Sequence, residues 1–165
     1  MNTIHLMIGI QGSGKTTFSK RLSKSLNIEI VSTDLIRKEM SEILEEQVWS
    51  MVYQKCAFEL AKGKDVIFDA TNITPKVRTR LKENVKQIYP DFSIGCYFFD
   101  VNPSICVKRV EKRNTMMGEL YLPTEVIYSY YHKIVPPTFD EGFIFIKIVN
   151  ENGVIREIRK KESSS

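Results

Sequence analysis

Between an apolar, strand-like run at Thr3–Ile8 and a helix of amphipathic period from Lys15 to Leu26 lies Gly9-Ile10-Gln11-Gly12-Ser13-Gly14-Lys15-Thr16. No other stretch constrains the fold of this chain so tightly. It meets G-x-x-x-x-G-K-[ST] at every fixed position, in the strand–turn–helix context that the chemistry of the pattern requires. Glycines let consecutive N–H groups turn inward and form an anion-binding concavity. The helix starting near Lys15 adds the partial positive charge of its N-terminus. Gly12, Ser13, Gly14, Lys15, Thr16 and Thr17 are therefore the candidate nucleotide-binding residues. Lys15 is placed to neutralise β- and γ-phosphates, and the Thr16 hydroxyl to ligate Mg²⁺. The expected ligand is ATP with Mg²⁺. A chance match in a glycine-rich turn is the alternative, and the flanking strand and helix argue against it.

The rest of the chain alternates strand-like and helical segments. Ile28–Val31 reads as a short buried strand, after which Ser32 or Thr33 caps a helix beginning at Asp34. Glu45–Lys62 carries Val48, Val52, Ala57, Leu60 and Ala61 in helical rhythm and stops at Gly63. Val66–Phe68, Ser93–Phe99 and Phe143–Val149 are further strands. Thr74–Pro75, Asn102–Pro103 and Pro123 open helices, with proline where its missing donor does no harm. Glu151-Asn152-Gly153 reads as a hairpin turn into Val154–Ile158. Such alternation predicts an α/β fold of the P-loop NTPase type. Its three layers place a five-stranded, mainly parallel sheet between helices, with a helical lid and a candidate C-terminal hairpin. Ligands in such sheets sit beyond the carboxyl ends of the strands. One domain is expected over residues 1–160, followed by a frayed tail at 161–165.

Composition narrows the class. At 165 residues, with 42% apolar and 27% charged residues, the chain fits one soluble domain. No apolar run reaches the roughly 20 residues of a membrane span, and the start lacks the pattern of a signal peptide. A cytoplasmic protein without membrane contact is expected. Cys56, Cys96 and Cys106 show no metal-type spacing and read as core thiols. The net charge of +4 is too small to identify a phosphate-rich partner by itself. His5 and His132 read as structural. Trp49, Tyr53, Tyr128, Tyr130 and Tyr131 read mainly as core or half-core residues, with base stacking as the alternative. The lysine-rich Lys76–Lys86 segment reads as a solvated helix face.

Three further segments fall where a phosphoryl-transfer site needs them. Asp34 follows the second strand, and a carboxylate there can accept the proton of an attacking hydroxyl. Arg37, one turn on, shares its face. The plainer reading gives Asp34 to the helix dipole and Arg37 to a surface pair. Asp69 ends the third strand, placed to reach Mg²⁺, its water shell or an acceptor. Thr71 and Asn72 are candidate acceptor ligands or turn and capping residues. Arg109 and Arg113, at i and i+4, share one helical face and suit either a lid over the triphosphate or a solvated surface.

Taken in order, these segments resemble the kinase domain of the phage-type 5′-hydroxyl polynucleotide kinases, over roughly Thr3 to Phe143. The shared elements are the G-x-x-G-S-G-K-[ST] loop, Asp-x-x-Arg after the second strand, an Asp-x-Thr-Asn-type segment and a two-arginine lid. The resemblance implies a sheet order of 2-3-1-4-5 and phosphorylation of a 5′-hydroxyl end of RNA or DNA. It makes Lys15, Asp34, Arg109 and Arg113 the catalytic set, with Asp34 as general base. Arg37 would hold the acceptor's adjacent phosphate. Gln11 stands where many members have proline. Counting from Asp100 makes Arg109 and Arg113 the lid pair; counting back from Pro123 gives Arg113 and Met117, and the first register is preferred. Thr115–Leu122 is then a candidate insertion. No Asp-x-Asp-x-Thr motif of a 3′-phosphatase occurs. A small-molecule kinase and a non-catalytic ATP-binding module are the competing classes; oligomeric state is left open.

Overall fold

In the computed structural model, residues 1–161 are described. The expected frayed tail lies outside the described residues from position 162 onward. β1 (Asn2–Ile8) is buried almost throughout, as a central parallel strand covered on both faces must be. Its alternation splits the core. Ile4, Leu6 and Ile8 face one apolar cluster, which takes Val48, Val52 and Leu60 from α3 (Glu45–Ala61) and Leu81 and Val85 from α4 (Pro75–Ile88). Met7 faces the other, with Phe18 of α1 (Lys15–Leu26), Val107 and Val110 of α5 (Pro103–Asn114) and Ile127 of α6 (Thr124–Lys133). This period-2 division makes three layers.

The remaining strands are β2 (Ile30–Ser32), β3 (Val66–Asp69), β4 (Phe92–Phe99), β5 (Ile146–Val149) and β6 (Ile155–Arg159). Their order is β2-β3-β1-β4-β5-β6, with β6 antiparallel to β5 and every other pair parallel. The 2-3-1-4-5 order holds, and the hairpin strand extends the sheet from five strands to six. Leu6 lies opposite Phe68 on β3 and Cys96 on β4, which brings the carboxyl ends of β1 and β3 together. None of the described helices is long and apolar enough to cross a membrane.

Two strand starts differ from the sequence reading by more than one residue. β2 starts at Ile30 rather than Ile28, because Asn27 closes α1 in the left-handed region (φ 54°) and Ile28 N–H returns to the Ser23 carbonyl. β5 starts at Ile146 rather than Phe143. The Phe145 ring lies edge-on to Tyr97 at 5.4 Å and against Gly95, where any Cβ would collide with it.

The Lys76–Lys86 face also departs from expectation. Arg78 is buried, and its guanidinium donates to both Glu141 oxygens at 2.8 and 3.1 Å and to the carbonyls of Asn72 (2.9 Å) and Val135 (3.0 Å). It ties α4 to the segment after β3 and to the chain after α6. Removing one partner of such a buried pair costs about 3–5 kcal/mol, because it strands the other charge. His5 is structural, as expected: its ring nitrogens lie 2.9 Å from the Tyr97 hydroxyl and 3.0 Å from Asp65. Exposed His132 packs edge-on to Tyr131.

Candidate active site

The glycine loop leaves β1 at Gly9 and enters α1 at Lys15. Gly12 and Gly14 have φ of 80° and 102°, a region costly for any residue with a Cβ. Gly12 is needed for a second reason: a Cβ there would meet the Cys106 carbonyl oxygen at 2.5 Å, so the loop is seated on α5. Gly9 N–H donates to the Thr71 carbonyl at 3.0 Å, and the Ser13 hydroxyl to the Ile10 carbonyl at 2.7 Å. These contacts within the chain shape the concavity.

Its floor is the start of α1. Ser32, Thr74 and Asn102 cap α2 (Thr33–Glu39), α4 and α5 with their side chains; α3 and α6 have no side-chain cap, nor has α1, whose N-cap is Gly14 of the loop itself. The first N–H groups of α1 are left to an anion. Lys15 is buried beside them, its ammonium donating to the Ile10 carbonyl at 2.8 Å. Burial lowers the Lys15 pKa, and the Asp69 and Asp34 charges oppose that shift. Exposed Thr16 and Thr17 flank the opening.

Asp69, the last residue of β3, accepts a hydrogen bond from the Thr16 hydroxyl at 2.9 Å. Burial raises its pKa, partly offset by Lys15 and by that hydrogen bond. A hydroxyl beside a carboxylate is an oxygen donor set that fits Mg²⁺, which keeps several waters and takes few protein ligands. Among the described residues no group of three or more His, Cys, Asp or Glu could hold a metal, so a cation here would draw on the triphosphate's own oxygens. Thr71 and Asn72 serve the backbone. Thr71 offers its carbonyl to Gly9, and buried Asn72 (φ 46°) donates its side-chain amide to the Met7 carbonyl at 2.8 Å.

Asp34 and Arg37 lie on α2, which follows β2 directly. Arg37 Nη1 donates to Asp34 Oδ1 at 2.8 Å. Its Nε and Nη2 donate to the two carboxylate oxygens of Glu45, the first residue of α3, at 3.0 and 2.5 Å. The Glu45 hydrogen bond holds the Arg37 pKa up and the Glu45 pKa down. Asp34 is exposed, yet its charge is felt at both Lys15 and Asp69.

Arg109 and Arg113 both lie on α5. Arg109 is anchored, donating to the Gly12 carbonyl at 3.2 Å and to the Glu151 carbonyl at 2.5 Å. Arg113 is exposed, has no hydrogen-bonded partner among the described residues, and perturbs Lys15. Beyond α5 the chain makes an excursion pinned at its base: Asn114 exchanges two hydrogen bonds with the Leu122 backbone, at 2.9 and 3.0 Å. Met117 is fully exposed on that excursion and lies beyond the end of α5. Lys38 of α2 reaches Glu119 of the excursion at 3.1 Å. Sequence reasoning passed over Glu45, Lys38 and Glu119. The only signal for Glu45 was an acidic residue opening a helix, which the helix dipole explains equally well.

A glycine loop seated on a helix start, with a buried lysine and a Thr–Asp pair at the carboxyl edge of a mainly parallel sheet, defines a P-loop kinase-like fold. The chain belongs to the AAA domain family (AAA_33), whose model matches residues 4–137. No curated protein matches it. Among solved structures it is similar to a chain of the Pnkp1/Rnl/Hen1 RNA repair complex, at 24% identity and TM-score 0.69 over 80% of this chain and 43% of that one. It thus spans under half of that chain. It is also similar to a protein from Chloroflexus aurantiacus J-10-fl assigned as a kinase (20%, 0.68, covering 90% and 88%). A third is the Mycobacterium tuberculosis APS kinase CysC in complex with AMPPNP and APS (15%, 0.53, covering 69% of each). At these identities the likeness establishes the fold.

Proposed function

We propose that the protein is an ATP-dependent phosphotransferase that moves the γ-phosphoryl group to a hydroxyl, the 5′-hydroxyl end of RNA or DNA. The observation that carries the reading is the register of β2 on β3. Ser32 lies opposite Asp69, so Asp34, two residues on in α2, leaves the sheet at the same carboxyl edge as the Thr16–Asp69 pair. An exposed carboxylate thus stands at the sheet edge where the glycine loop would present a γ-phosphate. Asp34 accepts the hydroxyl proton, the oxygen attacks the γ-phosphorus in line, and the bond to the β-bridging oxygen breaks to release ADP. Lys15 and the N–H groups of α1 hold the phosphates, and Arg113 meets charge developing on the transferred group. Mg²⁺ held by Thr16 and Asp69 would supply charge neutralisation. Arg109 orders the loop from behind, Arg37 holds the phosphate next to the accepting hydroxyl, and Asn72 and Thr71 buttress the loop.

A small-molecule acceptor is the second reading. In its favour, Arg37 is already bonded to two carboxylates and Lys38 to a third, so the acceptor rim is rich in acid. The test is transfer from γ-labelled ATP with Mg²⁺ to 5′-hydroxyl RNA and DNA oligonucleotides, run beside a panel of sugars and nucleosides. Label on oligonucleotides supports the first reading and label on metabolites alone the second. Label on no hydroxyl would overturn both.

A further inference from the structure

The Asp34–Arg37–Glu45 cluster holds two carboxylates around one guanidinium, a net charge of −1 at the place where the acceptor must dock. Glu45 takes the Nε and Nη2 donors together. That two-point fork is the arrangement Arg offers a phosphate. Nη1 is turned to Asp34. Any phosphate that approaches Arg37 meets an edge already filled by a group of its own sign and hydrogen-bonding capacity.

We propose that Glu45 is a specificity-determining residue, which occupies the phosphate-binding edge of Arg37 in the free protein and must be displaced by an acceptor carrying a phosphate beside its hydroxyl. This rests on the proposed acceptor role of Arg37. Three features make the displacement feasible. Both carboxylates are largely exposed, at 68% for Asp34 and 62% for Glu45, so water can receive them. Exposed ion pairs of this kind contribute little to folding, so parting one does not threaten the structure. Glu45 also has somewhere to go: as the first residue of α3 it sits at the positive end of that helix, and it can leave Arg37 without losing all favourable field. The second carboxylate, Asp34, stays beside the guanidinium to act on the hydroxyl. Glu45 thereby sets how strongly the site prefers a phosphate-bearing acceptor over a neutral one.

The experiment is a binding measurement, so it does not depend on transfer. Calorimetry with the full chain and ADP compares a nucleoside 3′-monophosphate with the corresponding nucleoside, in wild type, Glu45→Gln and the Glu45→Gln/Arg37→Ala double variant. Glu45→Gln is expected to improve the 3′-monophosphate Kd relative to the nucleoside Kd by about 3–10-fold, less at high salt. The double variant is expected to lose that gain. An unchanged ratio would make the Glu45 contact a surface pair only, and a worsened ratio would make Glu45 a support for Arg37; either overturns the proposal. Failure of the 3′-monophosphate to bind either protein overturns it too. The labelled-ATP assay judges the kinase reading separately.

Discussion

The proposed donor and acceptor sides of the site are built in opposite ways. Ser13, Lys15 and Asp69 are 1%, 8% and 6% exposed, and each is held by backbone or by a neighbouring element. Asp34 and Glu45 are mostly exposed, and both pair with Arg37. The excursion after α5 is held at its base by Asn114 and to α2 by Lys38–Glu119. A triphosphate is the same for every enzyme of this fold, so its cradle can be finished in advance from rigid backbone. The acceptor differs, and its side is made of exposed charges paired around Arg37. The donor side also carries strain of charge: Lys15 and Asp69 are each shifted toward their neutral forms even with the other present.

That contrast can be broken most forcefully at Lys15. Lys15→Met should lower transfer by about 10²–10³-fold or more, without lowering the melting temperature of the ligand-free protein. A melting temperature several degrees below wild type would show that the ammonium stabilises the fold.

Asp69→Asn sharpens the same point through pH. The Asp69 carboxyl keeps its proton to higher pH in the folded chain than in the unfolded chain, where a carboxyl of this type titrates near 3.9. The folded protein therefore binds the extra proton in that window and loses stability as pH rises through it. The variant escapes this loss, so thermal melts should show it gaining on wild type as pH climbs from about 4, with a constant gap above the folded pKa. Transfer should fall by about 10–100-fold. A gap that runs the other way would contradict the assigned burial cost.

The smallest effect is expected at Arg37. Arg37→Ala should raise the acceptor KM about tenfold, the order of one charge-assisted hydrogen bond, while the ATP KM stays close to wild type. The increase should vanish for acceptors without a phosphate beside the hydroxyl. An equal increase for both acceptor types would remove Arg37 from phosphate recognition.

The same contrast explains what could be read from the sequence. The loop was legible because backbone geometry, not side-chain choice, makes the cradle: Gly12 packs on the Cys106 carbonyl, and only glycine fits there. The strands followed from buried apolar runs, their order from the family resemblance, and the sixth strand from the turn before Val154. Asp34 and Asp69 were legible because each ends or follows a strand at the edge where ligands gather. Arg78 was not, since a cationic residue on a lysine-rich helix gives no sign that Glu141, 63 residues later, folds back to meet it. The Lys38–Glu119 pair is a long-range contact of the same kind, whereas Glu45 meets Arg37 eight residues away only because the turn between α2 and α3 folds the two helices together. Asn72 could have been a ligand or a turn residue, and a φ of 46° with the amide on the Met7 carbonyl gives it to the turn.

The central claim is that Asp34 brings the chemistry of an acceptor to a finished donor site. Asp34→Ala, measured for ATP binding and for γ-phosphoryl transfer in the same preparation, tests it most directly. The account predicts an ATP Kd close to wild type with kcat reduced by about 10²–10⁴-fold. Transfer near the wild-type rate, or loss of ATP binding in parallel with transfer, would contradict it.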